Sequence, residues 1–371
     1  ALALQATAVT ALDVTGEVTE FPRPDGVVER CVRIDPFPGA RYSDHDRKAE
    51  ARFCELDLAQ LALCPKLWST SPGTVIFSVP GGAEAIRQFE STHCREGHHA
   101  REYAEDKPAV FKVSVNGRST SATYAPSSWI YYHLSRYFDT QVVVPPSVYR
   151  SMSRTAHHER VVLPALKYLE GRRARMLAEG WAYLDALETN GLGGTPARQA
   201  LTDGGQQVFG VLIDNKGDRA GPEVNGTRES GWGDGQNEDF QQTAAFLALR
   251  DPAPLAEVAP AAVRAARRNP KMAKALAEDT APEQVYAWMQ AVMEIALLDT
   301  LLGQQDRIGN IDERQRWFWV EDGRLHDHSD HGGERPDRLP EGPAWRLWQT
   351  IISYNDAGVR PGYTNFAERT G

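Results

Sequence analysis

Nowhere does this chain run to 18 consecutive uncharged apolar residues. Its most apolar stretch, residues 291–302, carries Glu294 and Asp299, so no transmembrane span is expected. Positive charge is in short supply: 41 Lys and Arg face 50 Asp and Glu, a formal net charge of -9 that argues against nucleic acid as the main partner. No Gly-x-x-x-x-Gly-Lys-Ser/Thr, Gly-x-Ser-x-Gly or His-Glu-x-x-His occurs, which disfavours a P-loop ATPase, an α/β-hydrolase and a zincin. Cysteine is absent after Cys94. The four present, Cys31, Cys54, Cys64 and Cys94, permit two disulfides in three connectivities or four reduced thiols. Zinc is a third reading because His93, His98 and His99 surround Cys94, although no Cys-x-x-Cys pair exists.

What is there is ordinary for a globular protein: 371 residues, 41% hydrophobic and 25% charged, long enough for two domains or lobes with a sizeable core. The chain starts at Ala1, which fits a trimmed chain or a mature form after signal-peptide removal. A secreted or periplasmic location is expected over a cytoplasmic one.

Along residues 1–50, Pro22, Pro24, Pro36 and Pro38 interrupt periodicity, and extended segments and loops are expected. Residues 74–79, closed by Pro80-Gly81-Gly82, and 109–115, closed by Asn116-Gly117, read as strands of one sheet. Trp129, Ile130, Tyr132, Leu134 and Tyr137 suit a helix over 127–138, and 142–144 reads as another strand before Pro145-Pro146. Residues 154–189 turn helical, 207–213 form a strand, and a Gly-rich acidic loop runs through 235. Helices follow over 240–249, 254–277 and 282–302, with no internal repeat. His157 and His158 are expected at the surface, and Asn225-Gly226-Thr227 is a glycosylation sequon in a loop.

The helix over 282–302 presents Val285, Trp288, Met289, Val292 and Ile295 as a broad apolar face and stops at Gly303. It delivers Gln304-Gln305-Asp306-Arg307 to its C-terminal end, where the dipole gives a carboxylate nothing; a metal, an arginine or a substrate hydroxyl is the better partner. Asp299, within the helix, is expected to bond loop backbone. Residues 317–320 read as a strand, Glu321-Asp322-Gly323-Arg324 as a hairpin turn, and Leu325 onward as the return. That return is expected to bring Asp330 to Asp306 and Asn310, so that an acid for a nucleophile and two oxygen ligands for a hard cation converge. Within His326-Asp327-His328-Ser329-Asp330-His331, Asp327 is the alternative ligand, and a transition metal is the alternative ion.

This pattern resembles the catalytic core of atypical kinases: type II phosphatidylinositol 4-kinases, secretory-pathway casein kinases and HipA-like toxin kinases. Leu298-Asp299 is followed after six residues by Asp306-Arg307, and Ser329-Asp330-His331-Gly332 stands in the place of the family's metal segment. The resemblance implies an α+β, two-lobed kinase-like fold. An N-terminal nucleotide-binding lobe with a mixed or antiparallel sheet would occupy 1–150, and a mainly helical catalytic lobe 151–371. It implies ATP and Mg²⁺ or Mn²⁺ as cofactors, with phosphoryl transfer to a hydroxyl of a protein, lipid or small molecule. Asp306 would orient that hydroxyl, and Asn310 and Asp330 would hold the metal. Lys112, in the Val-Ala-Ile-Lys-like run Ala109-Val110-Phe111-Lys112, would grip the phosphates, with Arg118 adding charge. This chain departs from those families in four places. Asn310 follows Asp306 by four residues rather than five, Ile308 replaces a histidine, residues 127–138 contain no glutamate for Lys112, and no Gly-x-Gly-x-x-Gly precedes it. The alternative is therefore a kinase fold retained for binding or for nucleotidyl transfer.

Overall fold

Among the described residues, twelve strands in two antiparallel sheets, with helices packed against both, give an α+β fold. The structure is a computed structural model and describes residues 15–115, 120–121, 123–172, 175–190, 201–202, 205–214, 217–227, 234–330, 333, 335–337 and 339–357. Arg118 and His331-Gly332 lie outside the described residues.

The first sheet is built from β1 (Gly16–Pro22), β2 (Val28–Ile34), β3 (Ala62–Pro65), β4 (Thr74–Ser78), β5 (Asp106–Val113), β6 (Ser147–Ser153), β7 (Leu201–Thr202) and β8 (Gln207–Ile213). Their spatial order is β1-β2-β6-β8-β5-β4-β3, with β7 also paired to β8. From Pro108 onward β5 is buried at every residue, as a strand covered on both faces must be, which is why its sequence reads as a continuous apolar run around one lysine. At Gly210 of β8 a Cβ would stand 1.9 Å from the Lys112 carbonyl oxygen, so only glycine lets the two central strands approach.

Phe53, Phe111, Leu63, Trp181 and Leu184 form the core of this half, between the sheet and the helices Asp44–Glu55, Leu163–Leu169 and Arg175–Asn190. Ser43 and Asp46 make a reciprocal capping box that starts the helix Asp44–Glu55 within a proline-broken segment. Two disulfides staple the half: Cys31–Cys54 joins β2 to that helix, and Cys64–Cys94 joins β3 to the turn after the helix Gly82–Thr92. Neither reduced thiols nor a zinc ligand remain among these cysteines.

Two expected features are displaced. Residues 142–144 are not a sheet strand: Val142 and Val144 are buried in the second core, and Val143 makes a single parallel bridge to Ile351. The strand lies beyond Pro145-Pro146, as β6, so a boundary at residue 150 falls inside a strand and the first sheet is completed only at Ile213. The helical run over 154–189 is likewise interrupted after Leu169 and resumes at Arg175.

The second half packs the helices Ala244–Leu249, Leu255–Ala266 and Pro282–Leu302 on a second sheet. Its strands are β9 (Asp218–Arg219), β10 (Asp312–Glu321), β11 (Arg324–Ser329) and β12 (Ala344–Ile351), with β10 central. By length and composition Pro282–Leu302 is apolar enough to cross a membrane; in this fold one face, with Val285, Trp288, Ile295 and Leu298, is buried in the second core, while Met293, Leu297 and Leu301 are exposed. The helix Ala125–Tyr137 bridges the halves, with Tyr131 and Tyr132 in the second core and the Ala125 amide donating to the Ser114 hydroxyl, just past the end of β5, at 3.0 Å.

Candidate functional site

The loop that follows the long helix is held at every turn. Gly303 ends the helix in the left-handed conformation, and Arg307 folds back to bond Asp299 through Nε (2.9 Å) and Nη2 (2.8 Å). Tyr131 donates to the same carboxylate at 2.8 Å, so side chains, not loop backbone, satisfy Asp299. Further along, Asn225 Oδ1 accepts from the Gly309 and Ile311 amides at 3.0 and 3.1 Å, while its Nδ2 donates to the Ala220 and Ile311 carbonyls. Asn225 is buried and fully engaged, so the sequon is unavailable to a glycan. Gly309 has φ +86°, and a Cβ there would meet the Gln236 side chain at 2.5 Å. The clamped loop leaves Asp306 exposed, with the Asn310 side-chain amide donating to its carbonyl at 3.0 Å.

Arg307 also reaches across to Asn355 Oδ1 at 2.7 Å, and Gln304 Nε2 donates to the Tyr354 carbonyl at 3.0 Å. These bonds fix the segment that leaves β12 beside the Asp306 loop. Asp356, at the end of that segment, ion-pairs with Lys112 at 3.3 Å. Lys112 is therefore not a lysine snorkelling at a sheet edge: it projects from a central strand, buried, and its ammonium lacks a well-directed hydrogen bond.

Around the pair a cationic cluster assembles. The hairpin joining β3 and β4 is closed by the Lys66 amide bonding the Gly73 carbonyl at 2.8 Å, and the buried Lys66 ammonium lies 5.4 Å from the Tyr354 ring centroid. Lys112 lies 5.3 Å from the same ring and the Arg219 guanidinium 4.5 Å. Among the described residues Lys66 has no carboxylate at ion-pair distance. Burial, then repulsion from Lys112, brings its pKa down to about 8. Arg219 contacts Asp312 at 3.3 Å, the Gly309 carbonyl at 2.7 Å and Asn310 Oδ1 at 3.2 Å. Burial raises Asp312 to about 6 even though Arg219 and Lys112 oppose it. Next along β10, Glu313 is pushed up to about 8 by burial and by Glu223 and Asp218.

Of the expected residues, the fold gathers Lys112 and Asn310 at this cluster with Asp306 on its rim. It does not bring Asp330 or Asp327 there. The hairpin forms as expected, but β11 ends with Ser329 opposite Arg316, which leaves Asp330 about 15 Å of strand from Asn310. There Asp330 is held by Arg346 at 2.7 Å, and Asp327 is paired with Arg316. Among the described residues no three His, Cys, Asp or Glu side chains are grouped to hold a metal. The acid that returns to the Asp306 loop is Asp356, carried by β12, the strand after the hairpin. The sequence marks it with Asp356-Ala357-Gly358, an Asp-x-Gly triplet following an apolar strand. Lys66 has no comparable mark. His157, expected at the surface, is buried and bonded to Glu188 at 2.7 Å. Cavities of about 890 and 220 Å³ lie elsewhere, against the second sheet.

Comparison of this chain with protein-family models, with curated proteins and with solved structures finds no match.

Proposed function

We propose that this chain is an ATP-dependent phosphotransferase of kinase-like, two-lobed arrangement, acting on a hydroxyl acceptor. The observation that carries the reading is the buried Lys112–Asp356 pair at 3.3 Å with Lys66, which has no ion pair among the described residues, beside it. Two buried lysines, with the exposed Arg219 guanidinium on the same tyrosine ring, outnumber the carboxylates beside them and form a receptor for a polyanion, and a nucleotide triphosphate supplies that charge. Strand order supports the same reading. The β3–β4 hairpin, the lysine strand β5, the helix Ala125–Tyr137 and then β6 and β8, with β8 beside β5, follow the sequence of parts in a kinase upper lobe.

In this reading Lys112 and Lys66 bind phosphate oxygens, the second from the hairpin that covers them. Asp306, exposed on a rigid loop, orients the acceptor hydroxyl. Asp356 replaces Asp330 and Asp327 as the acidic metal ligand and acts with Asn310. These are a carboxylate and an amide oxygen, now engaged by Lys112 and Arg219, and their chemistry suits Mg²⁺ or Mn²⁺ completed by substrate oxygens. The ion would neutralise charge on the transferred phosphoryl group.

The test is a thermal-shift titration with ATP and either metal, followed by an acceptor screen with labelled ATP. Saturable stabilisation by ATP with Mg²⁺ or Mn²⁺ is expected, since a ligand that binds only the folded state raises its stability. A flat response with both metals overturns the reading. One observation favours a second reading, a fold kept for binding alone: the Tyr354 ring occupies the space among the three cations. In that case Tyr354→Ala leaves ATP without effect as well.

A further inference from the structure

Strand alternation along β10 sets Arg314, Arg316 and Phe318 on one face. The register extends that face to Gln349, Leu347 and Trp345 of β12 and to Ser329, Asp327 and Leu325 of β11. The face changes character along its length, cationic at one end and aromatic at the other, and both ends line cavities. Phe318, Trp345 and Leu347 close the cavity of about 220 Å³ against Tyr286 and Ala287 of the helix Pro282–Leu302. Arg314 and Arg316 line the cavity of about 890 Å³ beneath the helix Asp44–Glu55. Gln141, Val142, Leu325 and Gln349 line both, so the two spaces adjoin.

The charges in the larger cavity do not balance. Its four aspartates already hold arginines: Asp46 with Arg136, Asp139 with Arg41, Asp214 with Arg52, and Asp327 with Arg316. Arg314 has no carboxylate at ion-pair distance among the described residues. Its Nε donates to the neutral Gln349 side chain at 3.1 Å, at the junction of the two cavities. Burial, then Arg316, holds the Arg314 guanidinium below its usual range although Asp327 opposes them, so it sits where a charge is costly and only partly offset by a carboxylate already paired to Arg316. An arginine lining a cavity with no direct ion pair among the described residues, next to an aromatic recess, is a polar anchor beside an apolar slot.

We propose that the joined cavities bind one anionic amphiphile, with a carboxylate or phosphate head on Arg314 and an apolar tail between Tyr286, Phe318 and Trp345. The site is separate from the Lys112–Asp356 cluster and stands or falls independently of phosphoryl transfer.

Calorimetric titration of the full chain with decyl phosphate, decanoate, decanol and inorganic phosphate, each below its micellar concentration where one exists, tests this directly. Both anionic amphiphiles are expected to bind saturably, and inorganic phosphate much more weakly. Arg314→Gln is expected to weaken the anionic amphiphiles by roughly tenfold, the loss of one charge-assisted contact, while leaving decanol unchanged. Ala287→Phe, which fills the recess, is expected to weaken every ligand that carries a tail. The proposal is overturned if neither anionic amphiphile binds, if Arg314→Gln binds decyl phosphate as tightly as the parent, or if inorganic phosphate binds as tightly as decyl phosphate.

Discussion

Lys112 Nζ stands 3.3 Å from Asp356 Oδ2, so a central strand of the first sheet and the segment leaving the second share one buried ion pair. The helix Ala125–Tyr137 offers no glutamate, and Asp356 takes the position of counter-ion to the lysine. Removing one member of a buried pair strands the other charge. Asp356→Ala is expected to cost about 3–5 kcal/mol in urea denaturation, and the double variant with Lys112→Met to recover part of that loss. Strict additivity of the two single changes would show that the residues do not interact.

Lys66 carries the opposite sign of effect. Its pKa is depressed to about 8, so below that pH the folded state bears a buried charge that the unfolded chain solvates freely. That penalty fades as pH rises from about 8 toward the unfolded value near 10.5. Lys66→Met is therefore expected to raise the stability at neutral pH by on the order of a few kcal/mol, with the gain shrinking above about pH 8. The same change is expected to weaken ATP-dependent stabilisation. A more stable variant with undiminished ATP response would remove Lys66 from the site.

Glu313 adds a second pH dependence. Its folded pKa, about 8, lies above its ordinary value of 4.5, so the folded state keeps a proton that the unfolded state releases. Stability is full below about pH 4.5 and falls as pH rises toward 8, with Asp312 contributing in the same direction up to about 6. Melting temperatures measured across this window should slope downward in the parent and flatten in Glu313→Gln. Parallel curves would mean that Glu313 ionises as freely folded as unfolded.

Asp306 is exposed and lies outside the cation cluster, so its loss should separate chemistry from binding. Asp306→Asn is expected to lower turnover by on the order of 10²–10⁴, the usual contribution of a positioned base, while the ATP-induced thermal shift persists. Full activity in this variant would reassign the acid.

Reduction tests the first half alone. Cys31–Cys54 and Cys64–Cys94 close short loops within it, and each should contribute about 3 kcal/mol. Protein treated with reductant should unfold at lower denaturant, and Cys31→Ser/Cys54→Ser should reproduce part of that shift.

Local pattern made much of this fold legible. Gln207–Ile213 and Pro282–Leu302 have the expected boundaries because one is a short β-branched run and the other a long apolar helix between Pro282 and Gly303. The Trp317-to-Leu325 hairpin follows from its Asp322-Gly323 turn. What pattern could not supply was distance along the chain. Counting onward from Asp306 reaches Asp327 and Asp330 before Asp356, yet strand register leaves those two with Arg316 and Arg346, and the longer return through β12 delivers Asp356. Val142 to Val144 misled for a similar reason: a buried β-branched run reads alike whether it lies in a sheet or beside one. The burial of His157 and Lys66 depends on partners far away in sequence, Glu188 and the cation cluster, which no local window contains.

The left-handed turn at Gly309 explains the economy of the loop before β10. Only three residues separate Asp306 from Asn310, and the backbone reverses in that span through a conformation that residues with a Cβ avoid. Gln236 fills the space such a Cβ would need. The tight spacing and the glycine therefore go together: any other residue at 309 would meet both a strained backbone and the Gln236 side chain.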